Sequence, residues 1–249
     1  FQKRDLRKVS AVITDSHNSK KDIVRHLNIP AEKISVVHLA ADEQFRKLSS
    51  GQLKRMNLSQ IYSLPERFLL YVGDVNWNKN LSRLISAFSS VTDRNVSLVM
   101  VGKALTDEST PETRSIIEQI KKKGLQNKIL RLGFLPKDHL VGIYNTAIGY
   151  IQPSLYEGFG LPVLEAMQCG IPVISSTTSS LSELTGQAVI SIDPLHSSSI
   201  LEGITTLLYL EKKDREKLVK AGYEQVKKFS WEKVAHDTAA VYRHVCQTI

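Results

Sequence analysis

Residues 148–173 read IGYIQPSLYEGFGLPVLEAMQCGIPV. The first seven, IGYIQPS, form a short apolar run of the kind that makes a buried strand. Pro162 suits the first position of a helix, because its fixed φ is helical and its missing N–H is not needed there. Gly158 and Gly160 therefore fall in a strand-to-helix turn, with Glu157 in the turn and Glu165 inside the first turns of the helix. In an open α/β sheet, ligands bind at such turns. Glycines let backbone amides approach a ligand closely, and a helix start offers unpaired N–H groups to an anion. Carboxylates on either side add acceptors for hydroxyls. The expected ligand is anionic at one end and rich in hydroxyls at the other: a nucleotide sugar.

The flanking sequence repeats the same rhythm. Apolar runs occur at Phe68–Gly73, Val96–Gly102, Lys128–Phe134, Ile148–Pro153, Pro172–Ser176 and Ala188–Asp193. Helical patterns lie between them, at Asn80–Val91, Glu112–Lys123, Lys137–Asn145, Leu161–Cys169 and near Leu181. Short strands alternating with helices predict an α/β fold with a doubly wound, Rossmann-like parallel sheet. Two more helices, over His196–Leu210 and Asp214–Phe229, precede a last one over Trp231–Val245 with Ser230 as its N-cap. Upstream, Val9–Asp15 and Ile34–Leu39 bracket an amphipathic segment as one β-α-β unit. Its edges and faces need partners elsewhere.

The chain has 249 residues, 42% of them hydrophobic, enough for a substantial core. No apolar run reaches the roughly 18 residues of a membrane span. Cys169 and Cys246 have no metal-ligand spacing, so both read as structural thiols in a reducing compartment. The net charge of +8 gathers at Lys3, Arg4, Arg7 and Lys8, at Lys20, Lys21 and Arg25, at Lys121–Lys123, and at Lys227 and Lys228. Such an excess favours anionic partners, but no nucleic-acid-binding motif or aromatic platform accompanies it. The chain begins at Phe1, which suggests a truncated or processed sequence.

A second informative stretch is GDVNWNKNL, Gly73–Leu81. Lys79 lies close to a helix start, where it can neutralise a diphosphate together with helix amides and stabilise charge on a leaving group. No D-x-D pair occurs, so a metal clamp on the diphosphate is not evident.

GDVNWNKNL, the run LRLGFLPKDHLVGIYNTA and PSLYEGFGLPVLEAMQCGIPV, followed by SSLSEL and DP, resemble the C-terminal domain of retaining glycosyltransferases of family four, which have the GT-B fold. The resemblance covers nearly the whole chain, and Glu157 and Glu165 match that family's E-x7-E motif. It implies a metal-independent hexosyltransferase of the mannosyltransferase kind. Catalytic roles fall on Glu157, near the anomeric carbon, and on Lys79, at the diphosphate. Donor contacts fall on Gly73, Gly102, Phe134, Leu135, Gly158, Phe159, Gly160, Leu161 and Glu165, with Glu165 on the ribose and Phe134–Leu135 beside the base. Taken alone, Phe134 reads as a core aromatic and Glu165 as a solvated helix carboxylate.

The resemblance also implies an organisation. Residues 1–45 would be the last unit of an N-terminal, acceptor-binding domain, 46–66 a linker, 67–229 the donor domain, and 230–249 a helix crossing back. Many relatives carry an arginine at the position of Asp74 and a glycine at that of Ala40. The expected donor is GDP-mannose, with UDP-glucose and UDP-N-acetylglucosamine as alternatives. The expected acceptor is a glycan or lipid-linked glycan, and the expected location is the cytoplasm with peripheral contact to an anionic membrane. The competing reading is a non-catalytic nucleotide-sugar-binding module or pseudoenzyme subunit that needs a partner chain.

Overall fold

The computed structural model describes residues 9–248; the basic cluster Lys3, Arg4, Arg7 and Lys8 lies outside them. In chain order the elements are β1 (Val12–Thr14), α1 (His17–Asp22, continued by a π-turn over Ile23–Leu27), β2 (Ile34–Val36), α2 (Ser50–Met56), α3 (Leu58–Ile61), β3 (Phe68–Val72), α4 (Leu81–Phe88), β4 (Ser97–Val101), α5 (Pro111–Lys122), β5 (Ile129–Leu132), α6 (Lys137–Thr146), β6 (Gly149–Gln152), α7 (Leu161–Gln168), β7 (Val173–Ser176), α8 (Leu181–Thr185), β8 (Ile190–Ile192), α9 (Ser197–Leu208), α10 (Lys212–Val226) and α11 (Trp231–Thr248).

The main sheet has the order β5-β4-β3-β6-β7-β8, and every neighbouring pair in it is parallel. The order reverses between β3 and β6, where Leu69 faces Gly149 and Leu70 faces Tyr150. At such a point the connections on the two sides diverge and leave a crevice beyond the strand ends. Alternation along the strands separates two cores. Phe68, Leu70, Val99 and Val101 face a layer holding α6, α7 and α8, whereas Leu69, Tyr71, Leu98 and Met100 face one holding α4, α5 and α9. Both faces are thus covered, which is why these strands read as unbroken apolar runs. Leu70 and Val99, opposite each other and fully buried, each contribute about 1.5–3 kcal/mol of transfer free energy.

The polar segment expected to act as a linker, 46–66, carries two short helices, α2 and α3. Ser49 and Gln52 form a reciprocal capping box that starts α2. Leu58 is buried so close to α6 that a Cβ on Gly142 would stand 2.3 Å from its Cδ1. The helices are too short to show a 3.6-residue period. α4 is also shorter than expected: Asn80, in the left-handed conformation (φ 60°), stands just outside its start at Leu81, and the helix ends at Phe88 rather than Val91.

β1 and β2 pair in parallel, with Val12 opposite Ile34. α11 starts from Ser230, whose Oγ accepts the N–H of Lys233 at 3.2 Å. The helix runs back along this unit, so that Val234 and Thr238 line one cavity with Ile13, Thr14, Val37 and Leu39.

Candidate active site

Two loops meet beyond β3 and β6. Gly73 ends β3, and a Cβ on Gly102, just after β4, would fall 2.0 Å from the Gly73 carbonyl oxygen. Only a glycine at 102 lets the two backbones pass so closely. The loop then turns through Trp77–Lys79. Buried Asn80 ties it to its neighbours by donating to Pro153 O at 2.9 Å and Pro194 O at 2.7 Å. Asn78 donates to Tyr156 O at 2.9 Å, and Leu155 N donates back to Asn78 O at 2.8 Å.

This stitching brings Lys79 and Glu157 together. Lys79 Nζ lies 2.8 Å from both carboxylate oxygens of Glu157, which is only 7% exposed. Gln152 Nε2 and Ser154 Oγ each donate to Glu157 Oε1 at 2.7 Å. The Tyr150 hydroxyl donates in turn to Gln152 Oε1. A carboxylate taken out of water needs such partners, and here they fix its position as well as its charge.

Beyond Glu157 the turn is held from outside. Gly158 is exposed, and its carbonyl accepts from Ser16 Oγ, the N-cap of α1, at 2.8 Å. The Tyr156 hydroxyl pairs with Asn18 and Asp22 of α1. Phe159 is buried, with its ring beside those of His38 and Phe229. Gly160 has φ 114°, and a Cβ there would stand 2.6 Å from Leu181 Cδ2; both conditions demand glycine. α7 begins at Leu161, as the pattern Leu161–Cys169 has it, but half-buried Leu161 is first and Pro162 second rather than first, because Gly160 supplies the cap. Pro162 is tolerated there since the second N–H of a helix also lacks an intrahelical partner.

Glu165 is half-buried rather than solvated, and the Tyr144 hydroxyl donates to its Oε2 at 2.9 Å. Burial pushes its carboxyl up from 4.5 to about 7, against the opposing pull of the Tyr144 bond. The folded protein therefore binds more protons here than the unfolded chain between these values, so stability falls as pH rises through that window and the loss is complete above it. A rise of that size corresponds to at most about 3 kcal/mol. Glu165→Gln is expected to raise the thermal unfolding midpoint at pH 8 and leave it nearly unchanged at pH 4, as read by calorimetric scans at both values.

The remaining predicted contacts divide. Leu135 is buried in the core beside α6, whereas Phe134 is 81% exposed. The reading of Phe134 as a core aromatic is thus corrected: it stands just past β5, on the strand-end side of the sheet, with Leu135 taking the inward position. Asp74 accepts the N–H of Ala104 at 3.3 Å. Residues that the sequence left unassigned are Gln152, Ser154, Tyr144 and Tyr150. Gln152, a buried amide in an otherwise apolar strand, was the visible signal among them.

On the far side of the turn, Glu183 accepts the backbone N–H groups of His17 and Asn18, each at 2.9 Å, and lies 3.0 Å from His38 Nε2. His17, His38 and Glu183 form a grouping, among the described residues, whose ligand atoms all fall within 4.8 Å, as a metal ion requires. Both Glu183 oxygens are already engaged at the start of α1. A cavity of about 930 Å³ opens on another face, between Ala40–Ala41, α10 and the start of α11. Lys79, Glu157 and Glu165 are all absent from its lining. The chemistry of the crevice, rather than cavity size, identifies the candidate site.

Residues 57–225 match the family described as "Glycosyl transferases group 1". The chain is 31% identical over 237 residues to O-antigen chain mannosyltransferase B of Escherichia coli, covering 93% of this chain and 60% of that protein. It is 28% identical over 236 residues to the serotype-specific mannosyltransferase WbdA of Escherichia coli, covering 93% of this chain and 28% of that protein. The chain thus spans less than two thirds of the length of each of these relatives. Among solved structures, Anabaena Alr3699/HepE in complex with UDP and glucose superposes with a TM-score of 0.84 at 21% identity, over 98% of this chain and 67% of that one.

Proposed function

The chain belongs to the group 1 glycosyl transferases, and from that membership we propose that it is the donor-binding part of a retaining hexosyltransferase. On this reading it moves mannose from GDP-mannose to an acceptor hydroxyl during polysaccharide or glycolipid assembly. The observation that carries the proposal is the Lys79–Glu157 pair at 2.8 Å, lodged where the strand order reverses. Mannose is supported by the relatives that bear that activity in their names. The neighbour solved with UDP and glucose keeps a uridine donor as the alternative to be tested.

The residues divide the work as follows. The diphosphate takes Lys79 and the Leu161 amide at the start of α7, which together neutralise it without a metal. Glu165 accepts from the ribose hydroxyls, and Phe134 and Leu135 border the base. Gly73 and Gly102 leave room for the backbone to approach the donor. Freed from Lys79, Glu157 accepts from hydroxyls of the sugar near its anomeric carbon, with the amides of Gly158, Phe159, Gly160 and Leu161 beside it. The bond from C1 to the diphosphate oxygen breaks, the acceptor oxygen bonds to C1 on the same face, and its proton passes to the departing phosphate. Lys79 and the Leu161 amide stabilise the charge that grows on that leaving group. The acceptor is a glycan or lipid-linked glycan. The lysines at the end of α5, Lys121 and Lys122, suit peripheral contact with an anionic membrane on its cytoplasmic side. No helix among the described residues is long and apolar enough to cross a membrane.

Calorimetric titration with GDP-mannose, UDP-glucose and UDP-N-acetylglucosamine, with Glu165→Ala as control, tests the reading. One donor is expected to bind in the micromolar to millimolar range and to be lost in the variant. Equal binding by protein and variant would remove Glu165 from the site, and no binding by any donor would overturn the donor-site assignment.

A further inference from the structure

The run SSLSEL, Ser179–Leu184, lies directly behind the turn that carries Glu157. Ser179 Oγ accepts the N–H of Glu157 at 2.9 Å. Buried Ser180 donates its hydroxyl to the carbonyls of Glu157 at 2.9 Å and Phe159 at 3.0 Å. The peptide units on both sides of Glu157 are therefore gripped by hydroxyls. Ser176 extends the grip to Ser154 O at 2.6 Å. Ser179 makes its bond from a backbone conformation that serine adopts at a cost, φ 51°. Glycine occupies that left-handed region freely, and asparagine does so more readily than serine. Strain of this kind gathers where the surrounding structure needs a side chain in one place. What serine supplies here and glycine cannot is the oxygen facing Glu157 N.

We propose that Ser179 is a positioning residue for transfer: its hydroxyl fixes the Glu157 peptide, and with it the carboxylate over the donor sugar, in exchange for backbone strain. The proposal rests on the role assigned to Glu157 above. It separates stability from turnover, because glycine relieves the strain while removing the bond. In the complete protein, Ser179→Gly is expected to unfold at the same temperature as the parent or higher. Its affinity for GDP or UDP is expected to stay unchanged, because those ligands lack the sugar that Glu157 holds. Its turnover of the nucleotide sugar, with acceptor or with water, is expected to fall about tenfold, the worth of one well-placed hydrogen bond. Ser179→Asn, which restores an acceptor and tolerates the same backbone, is expected to recover most of that loss. Glu157→Gln is measured alongside. Parental turnover in Ser179→Gly beside an inactive Glu157→Gln overturns the positioning role alone. A fall in stability and turnover together in Ser179→Gly, without recovery in Ser179→Asn, shows a structural role and overturns it too. Full turnover in Glu157→Gln overturns the assignment of Glu157, and the proposal falls with it.

Discussion

Glu157→Ala is expected to lower transfer in the complete protein by about 10³-fold or more, the scale seen when one preorganised electrostatic contact to a transition state is removed. Three side chains, Lys79, Gln152 and Ser154, converge on this carboxylate, and no other residue of the turn 156–161 is acidic. As the bond to the diphosphate stretches, positive charge grows on the sugar ring. A fixed carboxylate stabilises that charge more than it stabilises the neutral ground state, so the loss should fall on kcat. On the proposed reading the nucleoside diphosphate is held by α7 and Lys79, so its affinity should change little. Release of nucleoside diphosphate from the donor is the assay, and turnover close to the parent would remove Glu157 from the chemistry.

Lys79→Ala is expected to cost about 10²–10³-fold in transfer, with weaker binding of the diphosphate as well. Lys79 is the sole basic residue of the GDVNWNKNL stretch and has no side-chain deputy there. The variant also leaves Glu157 buried without its ion-pair partner, a change that in buried pairs costs about 3–5 kcal/mol. Folding and chemistry are separated by the double variant Lys79→Met, Glu157→Gln, which should recover most of the unfolding midpoint while remaining inactive. Recovery of activity together with stability would mean that the pair serves the fold alone.

Much of this was legible in the chain itself. Strands buried on both faces read as apolar runs, and the α/β alternation followed from them. GDVNWNKNL and the E-x7-E stretch each follow such a run, which put Lys79 and Glu157 at strand ends. Their meeting was not legible, because it depends on β6 lying beside β3 rather than beyond β5, and periodicity carries no information on strand order. Tyr144 reaches Glu165 from α6 for the same reason. The helices within 46–66 were hidden by their brevity, although Ser49 and Gln52 spell a capping box. Phe134 and Leu135, adjacent in sequence, take opposite environments that only the path beyond β5 decides.

The attachment of α1 to the Glu157 turn bears on protein engineering. Ser16, Asn18 and Asp22 hold that turn from outside, and Glu183 holds the start of α1 in return. A chimaera that exchanges acceptor specificities by joining one protein's front half to another's donor half at the polar stretch 46–66 would divide these partners between two parents. The seam belongs ahead of β1, so that the small β1-α1-β2 unit travels with the turn it braces and the grafted half brings only its own recognition surface.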